Sequence, residues 1–294
     1  MERVGKFPLP ALMKAELVKF YASDGLALSG LLFKSGRKTK NVIINVFGMT
    51  DSFFAWSITE DMVNEIKKNN FDLFLPSNRG LGVVFRFDKK GSKKSLYFGT
   101  AKERFEDCIH DIKGSVKAVQ DLGYENIILM GHSTGCQKIT FYQYKTKDKN
   151  VKALVLLAPA DDYNIARKQA GKGFDKIVKK AKKMTGKEVL LKEFWGFAPK
   201  RFLSFADPEN TEAQLFNYDS GLKIFSKIKI PMLAVFGSKE EYAVKPVKTY
   251  MEILAGKTRS GKFAWEIIKG ANHSFEGREK ELSAAVLKWL GSVV

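Results

Sequence analysis

The residues best equipped for covalent chemistry lie in Gly131-His132-Ser133-Thr134-Gly135, which follows the apolar run Asn126–Met130 and precedes the helix-compatible stretch Cys136–Lys145. A G-x-S-x-G sequence at a strand-to-helix turn forces the serine into a strained backbone angle and holds its hydroxyl clear of the sheet. Side chains at Gly131 or Gly135 would meet the neighbouring strand and helix. Ser133 is therefore the candidate nucleophile.

A serine hydroxyl attacks only when a base takes its proton. The chain has 3 histidines. His132 neighbours the serine, so its ring is expected to turn away from the hydroxyl, and His110 falls on the preceding helix. His273, in the loop after the last apolar run, occupies the place that the chain order serine, acid, histidine gives the base. The acid belongs after the run Ile230–Phe236, where Gly237-Ser238-Lys239 leads into Glu240 and Glu241. Glu240 holds the position at which an aspartate is usual, with Glu241 as its competitor. A tetrahedral oxyanion also needs two aimed amides. The N–H of Thr134 is one candidate; the other is the N–H of Met49, in the loop Phe47-Gly48-Met49-Thr50.

These loops need a scaffold, and the hydrophobic pattern supplies one. Residues 16–34 read as two strands joined through Ser23-Asp24-Gly25. Apolar strands are predicted at Asn41–Phe47, Phe71–Leu75, Asn126–Met130, Val151–Ala158, Ile230–Phe236 and Phe263–Ile268. Between them, helices are expected at 58–68, 103–122, 246–256 and 278–290; in 103–122 a stripe of Phe105, Ile109, Ile112, Val116, Val119 and Leu122 repeats at helical spacing. Continuous apolar strands alternating with helices predict a mostly parallel sheet covered on both faces. The alternation stops over 161–225, read as a helical cap inserted at the carboxyl ends of the strands, with helices at 174–184 and 188–197. Residues 1–160 and 226–294 are then the core domain.

Composition narrows the partners. With 294 residues and 45% apolar content the chain can bury one large core. Lys and Arg number 50 against 32 acids, a net +18. The cations are scattered, without aromatic interleaving or a recognition-helix pattern, so no nucleic-acid partner is expected. The densest stretch, 161–205, carries ten Lys and two Arg against five acids, which is +7 on the insertion. Cys108 and Cys136 show neither disulfide nor zinc spacing. No cofactor or metal is expected, and neither a secretory leader nor a transmembrane run is read, so the expected location is cytoplasmic.

The longer string Leu129-Met130-Gly131-His132-Ser133-Thr134-Gly135-Cys136-Gln137 resembles the GHSTGCQ string of the fungal and plant α/β-hydrolase family that includes the siderophore esterases. Phe47-Gly48-Met49-Thr50-Asp51 is similar to that family's Gly-Gly-Leu-Thr-Asp loop, the segment Pro76–Gly82 to its Ser-rich segment, and Glu240-Glu241-Tyr242 to its Asp-Glu-Tyr. The likeness runs from about residue 41 to 275. It implies an α/β-hydrolase fold and a serine hydrolase that cleaves carboxylic esters of small molecules, with Glu240 in the acid's place. The departures are Glu for Asp, Phe47 for the first glycine, and the lysine-rich insertion, so the substrate does not carry over. The basic insertion instead suggests an anionic or lipid-like ester. The same residues also serve amide hydrolysis, C–C hydrolysis and acyl transfer, and a non-catalytic ligand-binding protein is the alternative of another class.

Overall fold

The computed structural model describes residues 13–52 and 58–294. The reading of the amino-terminal segment as no secretory leader falls largely outside these residues. The hairpin expected at 16–34 is β1 (Glu16–Tyr21) and β2 (Ala27–Phe33), paired antiparallel. Then follow β3 (Asn41–Val46), α1 (Thr59–Asn69) and β4 (Asp72–Pro76). A small separate hairpin of β5 (Phe85–Phe87) and β6 (Leu96–Phe98), which the pattern did not suggest, precedes α2 (Cys108–Asp121). Next come β7 (Asn126–His132), α3 (Thr134–Thr146) and β8 (Val151–Leu157).

The insertion holds α4 (Asp162–Ala170), α5 (Phe174–Lys183), α6 (Pro199–Ala206) and α7 (Thr211–Leu215). The chain closes with β9 (Met232–Gly237), α8 (Val247–Lys257), β10 (Phe263–Ile268) and α9 (Glu279–Leu290). Among the described residues eight strands form one sheet in the order β1-β2-β4-β3-β7-β8-β9-β10. From β4 to β10 every pairing is parallel. The chain steps one way from β3 to β4 and the other way from β4 through β10. Right-handed crossovers therefore set α1 on one face and α2, α3 and α8 on the other. The last helix, α9, packs beside α1. Strands such as β4 and β7 are buried along nearly their whole length because both faces are covered. This is the α/β-hydrolase fold.

The helix expected at 188–197 does not form. Only a single 3-10 turn, Lys192–Phe194, appears there, ended by Trp195 at φ 52° and Gly196 at φ 82°. Aromatic packing decides the local geometry: the left-handed turn lays the Trp195 ring parallel to Phe205 at 6.2 Å and edge-on to Phe202 at 5.4 Å. Of the three helices that lacked a periodic signal, α4 and α6 carry end signals. The Asp161 side chain caps α4 by accepting from the Asn164 amide at 3.1 Å, and Pro199 opens α6. An apolar cluster of its own runs from Ala166 to Ala206, whereas Leu215, Phe216, Leu222 and Phe225 pack into the main core.

A buried ion network fastens the insertion to the sheet domain. Arg201, on α6, donates to both carboxylate oxygens of Glu212 on α7 at 2.5 and 2.9 Å and to the Thr100 carbonyl at 3.2 Å. On the core side Lys138 of α3 donates to both oxygens of Glu103 at 3.0 Å, and Glu103 lies 3.7 Å from Arg201. All four side chains are at most 3% exposed. Removing one member leaves a charge buried without its partner, which costs far more than the pair contributes. Arg201→Met is therefore expected to lower the unfolding free energy by about 3–5 kcal/mol, measured by chemical denaturation.

Candidate active site

The loops at the carboxyl ends of β3 and β10 meet the tight β7–α3 turn at Ser133. The serine sits between β7 and α3 at φ 54°, ψ −127°. Its N–H donates to the Leu157 carbonyl at 2.9 Å, and its carbonyl accepts from the Cys136 N–H at 2.9 Å. Both flanking glycines are sterically required. A Cβ on Gly131 would lie 2.5 Å from the Gly135 backbone, and one on Gly135 would run into the Val46 carbonyl. Gly48 lets the β3 loop close over the turn: its Cβ would be 2.9 Å from the His132 carbonyl and 3.1 Å from Ser133 Cβ.

His273 and Glu240 are brought together from separate loops. His273 Nδ1 lies 2.8 Å from Glu240 Oε1, and the pair is buried. A carboxylate at that distance places the proton on Nδ1 and leaves Nε2 with its lone pair free. Glu241 acts on the same residue elsewhere: its Oε2 accepts the His273 backbone N–H at 2.8 Å. The two candidate acids thus divide the work, one on the ring and one on the main chain. Tyr242 packs edge-on against the His273 ring at 4.8 Å. His132 braces His273 from the other side, its ring centre 5.0 Å from that of His273 and its Nε2 donating to the His273 carbonyl at 2.9 Å. The third histidine, His110, is bonded to Ser23 at 2.8 Å in another part of the molecule.

Ser133, His273, Met49 and Thr134 all line one cleft of about 490 Å³. Among the described residues neither the Met49 nor the Thr134 amide is engaged in a hydrogen bond. The Met49 side chain packs on the apolar cluster of the insertion, which ties that loop to the helices above it. Thr134 also opens α3, so the partial positive charge of the helix N-terminus faces the cleft.

One cleft residue was not singled out in the sequence. Asp162, at the start of α4, accepts from the Gln137 side chain at 2.7 Å and from the Thr134 hydroxyl at 3.3 Å, both through Oδ2. Burial, reinforced by the Glu212 carboxylate and only partly offset by Arg201, pushes its pKa up to about 8. The signal available was the pair Asp161-Asp162 directly after a buried strand, where one acid serves as helix cap and the other is left over. Among the described residues no group of three or more His, Cys, Asp or Glu side chains is placed to hold a metal ion. Nor is any of their helices long and apolar enough to cross a membrane.

The profile of a family described as "Protein of unknown function (DUF1749)" matches residues 13–292. Comparison of the sequence with curated proteins gives no match. Among solved structures, the siderophore hydrolase EstB from Aspergillus fumigatus is similar at 18% identity and a TM-score of 0.68, over 91% of this chain and 95% of that one. A monoglyceride lipase from Saccharomyces cerevisiae is similar at 13% identity and a TM-score of 0.67, over 100% and 99%. An esterase from Pyrococcus furiosus is similar at 17% identity and a TM-score of 0.62, over 96% and 92%. At these identities the likeness is one of fold.

The environment of Asp162 has a consequence for stability. A carboxyl whose pKa rises on folding from 3.8 to about 8 favours the folded state fully below the lower value. That contribution drains away as the pH climbs to the higher one, because the unfolded chain ionises first. Asp162→Asn stays neutral throughout. Its melting temperature is expected to gain on that of the wild type as the pH is raised from 4 to 8, as read by thermal melts at both ends of that range.

Proposed function

The chain belongs to the DUF1749 family, and from that premise we propose that it is a serine ester hydrolase working through an acyl-enzyme. The observation that carries the reading is the 2.8 Å contact between Glu240 and His273 Nδ1, with His273 in the same cleft as a serine held at positive φ. Ser133 Oγ attacks the acyl carbonyl while His273 Nε2 takes its proton. Glu240 stabilises the imidazolium that results and keeps the ring in the tautomer with Nε2 free. The Met49 and Thr134 amides take up the negative charge on the carbonyl oxygen. The imidazolium returns its proton to the departing alkoxide, and the acyl group stays on Ser133. A water then gives a proton to His273 and attacks the acyl carbon, releasing the acid and restoring the serine. The ester and lipid hydrolases that share the fold support this reaction class.

The substrate end of the cleft favours neutral esters. Among the described residues its lining includes three carboxyl groups, Asp51, Asp162 and Glu276, and no lysine or arginine. The positive charge expected to draw in an anionic ester therefore does not reach the reacting groups, and a carboxylate on the substrate would be set among other carboxyls. The substrate proposed is a neutral small-molecule ester.

A fluorophosphonate probe is expected to label the wild type and not Ser133→Ala; an unlabelled wild type that hydrolyses no p-nitrophenyl acyl ester would sink the enzyme reading. Glu240→Gln is expected to lower kcat by about 10³- to 10⁴-fold. Glu241→Gln, which alters only a main-chain contact, is expected to cost about tenfold or less. Between p-nitrophenyl esters of equal acyl length, one bearing a terminal carboxylate is expected to show a kcat/KM about tenfold or more below the neutral one; equal values would remove the charge argument.

A further inference from the structure

The net charge of +18 must reside somewhere other than the cleft at Ser133. Part of it gathers in a second cleft, of about 930 Å³, at the opposite end of the sheet, beneath the amino-terminal ends of β8 and β9. The connection from α3 to β8 supplies Lys145, Lys147, Lys149 and Lys152, all exposed. Lys227 and Lys229 enter from the segment leading into β9, and Arg259 from the turn after α8. Seven of the thirteen lining residues are cations, against 50 of 294 in the whole chain, roughly three times the chain's average density.

These cations are uncompensated. Among the described residues none of the seven makes a salt bridge, although other surface lysines such as Lys40 and Lys117 do. Asp148, the acid of the cleft, is turned to internal duties: it accepts from the Tyr142 hydroxyl at 2.6 Å and from the Asn150 amides at 2.8 and 2.9 Å. Lys145, in the last turn of α3, and Lys227, in the segment leading into β9, lie over the same Tyr144 ring at 5.8 and 5.4 Å. The ring thereby draws two like charges to one spot. Val151, Ile228 and Ile230 add apolar surface beneath them.

Lys152 Nζ donates to the Lys149 carbonyl at 3.0 Å, but with no acid paired to any of them, seven cations from three segments around one concavity raise a local positive potential that an anion relieves. Ammonium groups suit phosphate as point charges. The volume is that of a small-molecule site, and the aromatic face a nucleobase would stack on is already covered by lysine. We propose that this cleft binds a multiply phosphorylated small anion, whether a soluble polyphosphate ester or the polyphosphorylated headgroup of a lipid. The site is separate from Ser133, and the proposal does not depend on the reaction assigned there.

The test is a titration with inositol hexakisphosphate, with myo-inositol as the uncharged control. The comparison is between wild type, the site variant Lys147→Gln/Lys149→Gln/Lys229→Gln and the remote variant Lys19→Gln/Lys67→Gln/Lys113→Gln, which removes the same charge from exposed positions elsewhere. The wild type is expected to bind the phosphate compound and not myo-inositol. The site variant is expected to bind about tenfold or more weakly, and the remote variant within about twofold of wild type. Phosphatidylcholine vesicles with and without phosphatidylinositol bisphosphate form the second arm. Retention on the phosphorylated vesicles alone, lost in the site variant, identifies a lipid headgroup; binding of the soluble compound without retention identifies a soluble ligand. No binding in either arm, or equal weakening in the two variants, overturns the proposal.

Discussion

The site depends on one strained residue. Ser133 stands at φ 54°, ψ −127°, outside the regions an L-residue ordinarily occupies, at a cost of order 1–3 kcal/mol. What holds it there is the surrounding geometry. β7 runs straight into α3 with no loop between them, Gly131 and Gly135 allow the helix to sit directly against the strands, and the serine's own N–H and carbonyl are both hydrogen-bonded. Relaxing the serine would require moving α3, which is buried over most of its length. The strain is therefore offset by the core, and the hydroxyl stays fixed where the other loops converge.

The same economy of space governs Glu240 and His273. Gly237 ends β9 where any Cβ would strike the Ala271 carbonyl, so the loop bearing Glu240 lies directly on the loop bearing His273. Lys239 N–H to Ala271 carbonyl at 2.8 Å and Gly270 N–H to the Ser238 hydroxyl at 2.8 Å sew the two together. Glu240 then needs no reach across a gap, and the additional methylene of glutamate over aspartate is accommodated. Glu241, by holding the His273 N–H, and His132, by holding its carbonyl, fix the backbone of the proposed base. The histidine is thus gripped at its N–H, its carbonyl and its Nδ1, and only Nε2 is left to face the cleft.

Legibility in the sequence followed the strength of the local rule. Ser133 was readable because a strand, two glycines and a helix all constrain one turn. His273 was readable because few histidines compete and chain order places one of them after the last strand. The strands were readable because burial on both faces forces unbroken apolar runs. Within the insertion the helix expected at 174–184 was readable and stands as α5; the rest was not, since the other helices are short and the turn at 192–196 is set by aromatic contacts among Trp195, Phe202 and Phe205. Asp162 was hidden for a related reason. The Asp161-Asp162 pair marks only a helix start; the elevated pKa of Asp162 arises from burial and from Glu212, fifty residues further along the chain.

Asp162 also shows how the buried ions and the cleft are coupled. Arg201 and Lys138 bring two positive charges into the junction of insertion and core, where Glu103 and Glu212 already supply two negative ones. A third carboxylate would leave that region with an excess negative charge and no water to screen it. A bound proton on Asp162 restores neutrality, and the Thr134 hydroxyl, whose residue also supplies an amide to the cleft, is hydrogen-bonded to that same carboxyl. The charge state of the fastening network is in this way felt one residue from the serine. The abundant surface lysines stay outside this arrangement, so the protein is strongly basic overall while the cleft beside Ser133 is lined by acids.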